Sequence, residues 1–356
     1  MRMPKWRKQS VTIKDVARAA GVSVTTVSNV LNDRTGSMSE DTLQRVVQVM
    51  EALDYRPNAL ARSLVTRRTA TIGVVLAEVE TPLFLQALNT IEPIARGAGY
   101  TVLMSNARSP QEEDEVVQVL LDKRVDGLIF LSVSERLADD YVSALQRQRV
   151  PAVLVNRAQR YERMDQINWD DEEGVVGAVE HLIEIGHRRI AHLCGPERRY
   201  SGEVRLRGYR TALERHGIAW RDDYVLPGDY TGDAEGWRRS TLALLEAQPR
   251  PTAIVASDDV VAATAIKTIQ QQGLRVPDDV AVVGVDDQPF CTYLNPALTT
   301  VQLPVLQAGA LAVEMLLDRM AGKRSEPEHV TLPCSLVVRE SSGSHPRRTC
   351  DTRIVE

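Results

Sequence analysis

From Thr71 to Glu340 the chain alternates strand-length apolar runs with amphipathic segments, an alternation that allows few folds. TIGVVLA, YTVLMSN, GLIFL and PAVLVN read as strands. Near-continuous apolar runs suit strands covered on both faces, and strands alternating with helices form parallel sheets. Between them lie PLFLQALNTIEPIARGAG, a helix ended by glycines, then PQEEDEVVQVLLDKR, and a helix near Leu137–Gln148. The second of these starts acidic and ends basic, in agreement with the helix dipole. A second series follows: helix Glu172–Ile185, strand RIAHLCG, helices Gly202–His216 and Ala234–Ala247, strand TAIVAS, helix Val260–Gln272 and strand VAVVGVDD. LTTVQLP leads into a helix over Val305–Met320, and the strand SLVVRE ends the folded part. Two parallel sets with late elements crossing back predict two similar lobes, with a cleft between the carboxyl ends of their strands.

The segment before Thr71 is of another kind. Thr12-Ile-Lys-Asp15 has the form of a capping box, a hydroxyl at the N-cap and an acid three residues on. A short helix, IKDVARAA, follows with Ile13, Val16, Ala17 and Ala20 on one face. Gly21 stands where a left-handed turn residue is needed. Ser23 can cap the next helix, whose Val27, Val30 and Leu31 face inward. Two short helices joined by a glycine turn predict a helix-turn-helix, whose second helix presents its outward residues to a DNA major groove. Those residues are Val24, Thr25, Ser28 and Asn29, small or polar and free of acids. The motif also fits a helical hairpin that happens to carry a glycine turn, although taken alone it favours DNA binding. Ser39 can cap a third helix, EDTLQRVVQVMEALD, which Tyr55-Arg-Pro-Asn58 breaks. Asn58 then caps ALARSL, a run too short to hold a helix alone in water, so it is expected to order only when something binds it.

Charge separates the same two parts. Residues 1–69 carry 12 Lys/Arg against 6 Asp/Glu, a net of +6, which leaves −11 of the total −5 for the rest. A basic head on an acidic body suits a head that meets phosphates. A length of 356 residues exceeds one core. The expected domains are a headpiece over 11–57, a hinge helix and linker over 58–69, a two-lobed body over 70–342 and a disordered tail over 343–356. MRMPKWRKQS is basic but lacks the apolar stretch of a secretory signal, and no apolar run reaches bilayer-spanning length. The four cysteines are scattered, with no metal-ligand spacing, and His181, His187 and His192 straddle a helix, a glycine and a strand. The expectation is a cytoplasmic chain with no metal and no cofactor.

VTIKDVARAAGVSVTTVSNVLN followed by YRPNALARSL resembles the headpiece and hinge helix of the lactose-repressor and purine-repressor family. GHRRIAHLCGP, VRLRGYRTALERHGI, PTAIVASDDVVA, GLRVPDDVAVVGVDD, PALTTVQLP and LVVRE are similar to its effector domain. The resemblance thus runs from about Val11 to Glu340. It implies a small all-α helix-turn-helix headpiece joined to an α/β, two-lobed, periplasmic-binding-protein-like (type I) effector domain. It places Val24, Thr25 and Asn29 at base-reading positions and Leu64 as a leucine wedged into the minor groove. Many members carry Arg where this chain has Asn29, so the resemblance does not fix which bases are read there. The implied DNA-binding set is Val24, Thr25, Thr26, Ser28, Asn29, Tyr55, Asn58, Ala61 and Leu64.

Ligands of such folds bind at strand ends that face the cleft. Arg205 after Cys194-Gly-Pro, Ser257-Asp-Asp259 and Asp286-Asp287 are the polar clusters there. A carboxylate accepts from vicinal hydroxyls and an arginine fork donates to them, which suits a polyol. By the resemblance Arg205 and Asp286 match effector-binding residues, and Ser257 stands where a member carries a ligand-contacting Asn. Tyr230 matches an aromatic that stacks on the ligand, and Phe84 lies in the first loop of the other lobe. With Asn156 at a strand end, these make the expected effector set. The competing readings are a helix cap for Asp286 or Asp258 and a structural ion pair for Arg205.

No phosphate loop, HExxH, GxSxG or strand-following GxGxxG is present, so an enzyme is not expected. The expected function is a homodimeric, sequence-specific repressor of a palindromic DNA operator, controlled by a small effector, a sugar or sugar derivative. Regulation by a phosphocarrier protein or a purine corepressor stays open on the same fold. A solute-binding transport protein would share the body but need a signal peptide and lack the headpiece.

Overall fold

The computed structural model describes residues 11–31, 36, 38–55, 68–77, 82–107, 109–131, 145, 147–157, 161–195, 200–227 and 234–343. Expectations for the hinge at Asn58, Ala61 and Leu64, for Tyr230, for most of the helix near Leu137–Gln148 and for the tail from 344 onward lie outside these residues. The chain divides into two compact units, Met1–Thr69 and Ala70–Glu356.

The first unit holds α1 (Ile13–Ala20), α2 (Val24–Leu31) and α3 (Glu40–Ala52). The Asp15 carboxylate accepts from both the backbone N–H and the hydroxyl of Thr12, at 3.0 and 2.7 Å. Gly21 takes φ 66°, the left-handed conformation that lets the chain turn at once into α2. Ser23 caps α2, its Oγ accepting from the Thr26 N–H at 3.0 Å. Val16, Ala17, Ala20, Val27 and Val46 form the buried core of this small unit.

The second unit carries β1 (Thr71–Ala77), β2 (Thr101–Ala107), β3 (Gly127–Leu131), β4 (Ala152–Val155), β5 (Asp165–Trp169), β6 (Ile190–Cys194) and β7 (Val225–Pro227). Then come β8 (Ala253–Ala256), β9 (Ala281–Asp286), β10 (Thr299–Gln302), β11 (His329–Leu332) and β12 (Ser335–Val337). They form two sheets, ordered β11-β5-β4-β3-β1-β2 and β12-β10-β9-β8-β6-β7. The pairings are parallel except that β12 lies antiparallel to β10, with Thr300 opposite Val337. The helices are α4 (Pro82–Gly97), α5 (Pro110–Asp122), α6 (Asp171–Glu184), α7 (Tyr200–Arg215), α8 (Ala234–Glu246), α9 (Asp259–Gln271) and α10 (Val305–Met320). The chain passes between the sheets after β5, after β10 and after β11. As a result α10, late in the sequence, packs against α4 and β4 of the first lobe, while α6 packs against α7 and the second sheet.

Close approach of these helices depends on two glycines. A Cβ at Gly208 would stand 2.4 Å from the Glu172 carbonyl oxygen, so only glycine lets α7 lie this near α6. A Cβ at Gly309 would stand 2.8 Å from the Ala87 carbonyl oxygen, and the same holds for α10 on α4.

Four strands, β5, β7, β10 and β11, were not expected. β5 reads Asp-Gln-Ile-Asn-Trp, and Asp165 and Gln166 are buried in it only because each has dedicated partners. Asp165 receives two bonds from Arg319, and the Gln166 amide donates to the Arg157 carbonyl at 2.8 Å. β7 and β11 are edge strands of three and four residues, too short for a periodic signal. SLVVRE is a strand only at Ser335–Val337, and the chain does not stop there. A 3-10 turn at Glu340–Ser342 buries Ser341 and Ser342, and Ser341 Oγ donates to the Val282 carbonyl at 2.6 Å.

Candidate nucleic-acid interface and effector cleft

On α2 the residues fall into two groups. Val27 points into the core, whereas Val24 is 41% exposed. Thr25 is exposed, and Ser28 and Asn29 are half-buried at its side. Thr26 is engaged within the helix end, its hydroxyl 2.9 Å from Ser23 Oγ. Tyr55 is half-buried and packs against the headpiece core, and this burial raises its pKa. Val24, Thr25, Ser28 and Asn29 therefore give α2 an outer surface with no carboxylate, as a helix approaching phosphates requires.

In the second unit the site is built at the carboxyl ends of β5, β8 and β9. Arg205 lies on α7, inside the helix expected over Gly202–His216 and not in a strand-end loop, and is 5% exposed. Its Nε donates to Asp171 Oδ1 at 2.9 Å, its Nη1 to the Ser257 carbonyl at 2.5 Å and its Nη2 to Asp286 Oδ1 at 3.4 Å. One guanidinium thus gathers the first residue of α6, the end of β8 and the end of β9. The sequence brought Arg205, Ser257 and Asp286 together correctly. It missed Asp171, which reads as one more acid in a helix's first turn.

Burial pushes the Asp286 carboxyl well above the usual carboxylate range, against the opposing pull of Arg205. Its backbone is also held at φ 121°, and that of Asp287 at φ 54°, a region that costs a non-glycine residue free energy. Asp259 supplies the anchor for this turn. Its carboxylate accepts from the Gln288 N–H at 2.7 Å, the Thr300 hydroxyl at 2.5 Å and the Cys291 thiol at 3.0 Å. A Cβ at Gly284 would sit 2.3 Å from Asp259 Oδ1, so the glycine two residues before Asp286 makes room for the anchor. Burial raises the Asp259 pKa to about 6. Asp258 is the cap of α9, accepting from the Val261 N–H at 2.8 Å.

Two buried polar atoms in this region have no hydrogen-bond partner among the described residues: Ser257 Oγ, in a residue with 0% exposure, and Trp169 Nε1, at the end of β5. Native interiors leave few such groups unpaired, and a hydroxyl and an indole N–H at strand ends are groups a ligand can satisfy. Phe84 is not in a loop but in the first turn of α4, buried, with its ring 6.4 Å from that of Trp169. Asn156 follows β4, buried at φ 56°, with its N–H donating to the Ile167 carbonyl at 2.8 Å. Both lie on the first lobe.

Comparison with known proteins agrees with both halves. A family described as bacterial regulatory proteins, lacI family, matches residues 12–58, and a periplasmic binding protein-like domain matches residues 179–342. The HTH-type transcriptional repressor PurR of Aliivibrio fischeri is 35% identical over 93% of this chain and 98% of its own. Catabolite control protein A of Priestia megaterium is 33% identical over 94% and 99%. Among solved structures, the lac repressor dimer bound to operator and the anti-inducer ONPF superposes with a TM-score of 0.83 at 30% identity, over 94% and 99%. The transcriptional regulator CelR in complex with cellobiose gives 0.69 at 31%, over 93% and 99%. With relatives of this identity spanning headpiece and body alike, the chain belongs to the lacI family of bacterial regulatory proteins and is a DNA-binding transcriptional regulator with a small-molecule effector domain.

Proposed function

We propose that this regulator is a cytoplasmic, homodimeric repressor that reads a palindromic operator through α2 and is controlled by a sugar or another polyhydroxylated effector. The observation that carries the effector class is the buried Ser257 Oγ, without a partner among the described residues, in a residue whose carbonyl is held by Arg205, which also reaches Asp286. A sugar hydroxyl can donate to one oxygen and accept from another donor at once, which a cluster of this mixed polarity rewards. The cellobiose complex of a structural neighbour supports the same class. Val24, Thr25 and Asn29 are the base-reading residues of this proposal. Leu64, outside the described residues, is its minor-groove wedge.

The dimer is supported by the dimeric lac repressor neighbour. It also explains the exposed apolar side chains of the edge strand β2, where Leu103 and Met104 are 38% and 45% exposed. The test is a thermal-shift screen of neutral sugars, sugar phosphates and purines on the purified chain. A ligand at a hundredfold excess over its Kd raises stability by about 2.7 kcal/mol. A shift from a neutral sugar supports the reading. A shift from purines alone, or none until a phosphorylated carrier protein is added, replaces the sugar with that effector.

A further inference from the structure

We propose that Gln86 and Gln288 form a latch between the two lobes, one that holds the effector cleft toward its closed arrangement before any ligand arrives. Gln86 Nε2 donates to Gln288 Oε1 at 3.2 Å, a bond between residues 202 positions apart in sequence. Gln86 lies on α4 of the first lobe, two residues beyond Phe84. Gln288 follows β9 of the second lobe, two residues beyond Asp286, and is 2% exposed. The bond therefore joins the two lobes, at residues two positions beyond Phe84 and Asp286 of the set assigned to the effector.

Both ends stand on firm supports. Behind Gln288, the Asp259 carboxylate holds its backbone N–H, and through Thr300 the neighbouring strand β10. Behind Gln86, the Thr90 hydroxyl bridges to the Leu306 carbonyl of α10 at 3.1 Å, and Gly309 lets α10 lie against Ala87. The backbone at both ends is thus already in place, and only the two side-chain amides have to be ordered for the bond to form.

The chemistry suits a bias, not a lock. A neutral amide pair carries no net charge, so salt and moderate pH changes leave it intact. Its net worth is that of one ordinary hydrogen bond, a shift in population of about three- to tenfold. A bond made in only one of two arrangements shifts their populations by that factor and no more. The latch would set how far the cleft is already closed when an effector binds. This rests on the two-lobed body and not on the class of effector, so the ligand screen and the test below fail independently.

The test is amide hydrogen exchange on the full chain with no ligand added. Gln86→Leu should speed exchange of residues 286–291, on the opposite lobe, by about three- to tenfold. Amides of β8, Ala253–Ala256, should not change. Gln86→Lys, which restores a donor toward Gln288 Oε1, should return the loop to wild-type protection. Gln86→Ala provides the same cut with a strong helix former, should the leucine disturb folding. Unchanged exchange at 286–291 in both the leucine and alanine variants overturns the latch. So does a lysine variant that exchanges as fast as they do, because packing and not donation would then be what was lost.

Discussion

Arg205 Nε donates to the Asp171 carboxylate at 2.9 Å, both side chains buried, and this bond ties α7 to the residue at which the chain has just crossed between lobes. The arginine therefore has a structural duty as well as any duty to the effector. Removing one partner of a buried ion pair leaves an uncompensated charge, which typically costs 3–5 kcal/mol, on the order of what breaking such pairs costs elsewhere. Arg205→Ala should lower the denaturation midpoint of the body as well as abolish the response to effector. Arg205→Lys keeps the charge but not the fork, and should recover part of the stability with little of the response. Denaturant titration alongside calorimetry with the effector separates the two. An alanine variant as stable as wild type would mean that Asp171 and Asp286 do not depend on this guanidinium.

At the other unit, Asn29 stands beside exposed Thr25 on a helix free of carboxylates. Its amide can pair with an adenine edge in two places at once. Asn29→Ala should weaken specific binding by about 1–3 kcal/mol and relax the preference at one base pair in each half-site. Selection of binding sites from a random pool checks this. An unchanged consensus for the variant would remove Asn29 from the base-reading set.

Much of the frame was legible because burial imposes it locally. TIGVVLA, GLIFL and the Val305–Met320 helix announce themselves through continuous or periodic apolar residues, and the structure places β1, β3 and α10 on those residues. Asp165-Gln-Ile-Asn-Trp169 carries no such signal, because its polar residues are tolerated only through partners such as Arg319, 154 positions away. The site shows the same divide. Asp286 and Asp259 stand out as polar residues at strand ends, but Asp171 and Gln86 matter through contacts that no local pattern encodes. Phe84 falls inside the expected helix PLFLQALNTIEPIARGAG, and the structure sets it in the first turn of α4.

His192 gives the body a pH dependence whose sign can be worked out. It is fully buried in β6, its Nδ1–H donating to the Val255 carbonyl at 2.9 Å, and its ring stacks on Tyr209 at 5.1 Å. Burial lowers its pKa from 6.5 to about 4. The unfolded chain takes up a proton near pH 6.5 while the folded chain resists until about 4. His192 therefore favours folding fully above pH 6.5, and this contribution, roughly 3 kcal/mol at most, is lost as pH falls toward 4. Asp259 acts in the opposite sense. Its folded pKa, raised to about 6 from 3.8, adds stability as pH falls through that interval. In wild type the two partly cancel. His192→Gln should remove the His192 trend, so that stability falls less, or rises, between pH 6.5 and 4.5 relative to wild type. Parallel denaturation profiles for variant and wild type would show that His192 is not kept neutral.

Ser257 offers the clearest separation of stability from function. Its Oγ is buried with no partner among the described residues, while its carbonyl oxygen accepts from Arg205. A buried hydroxyl without a partner costs about 1–3 kcal/mol, and deleting it relieves that cost at the price of a cavity no larger than one oxygen atom. Ser257→Ala keeps the backbone carbonyl, and with it the bond to Arg205. The variant should thus be as stable as the ligand-free wild type or more so, by about 1 kcal/mol. Its affinity for a polyhydroxylated effector should nevertheless fall, by about tenfold if one hydrogen bond is lost. Thermal denaturation with and without effector reads both quantities from one sample. Equal effector affinity in the two proteins would remove Ser257 from the pocket. A variant less stable without ligand would show that the hydroxyl already has a partner in the free protein, and that its apparent vacancy does not mark the ligand's place.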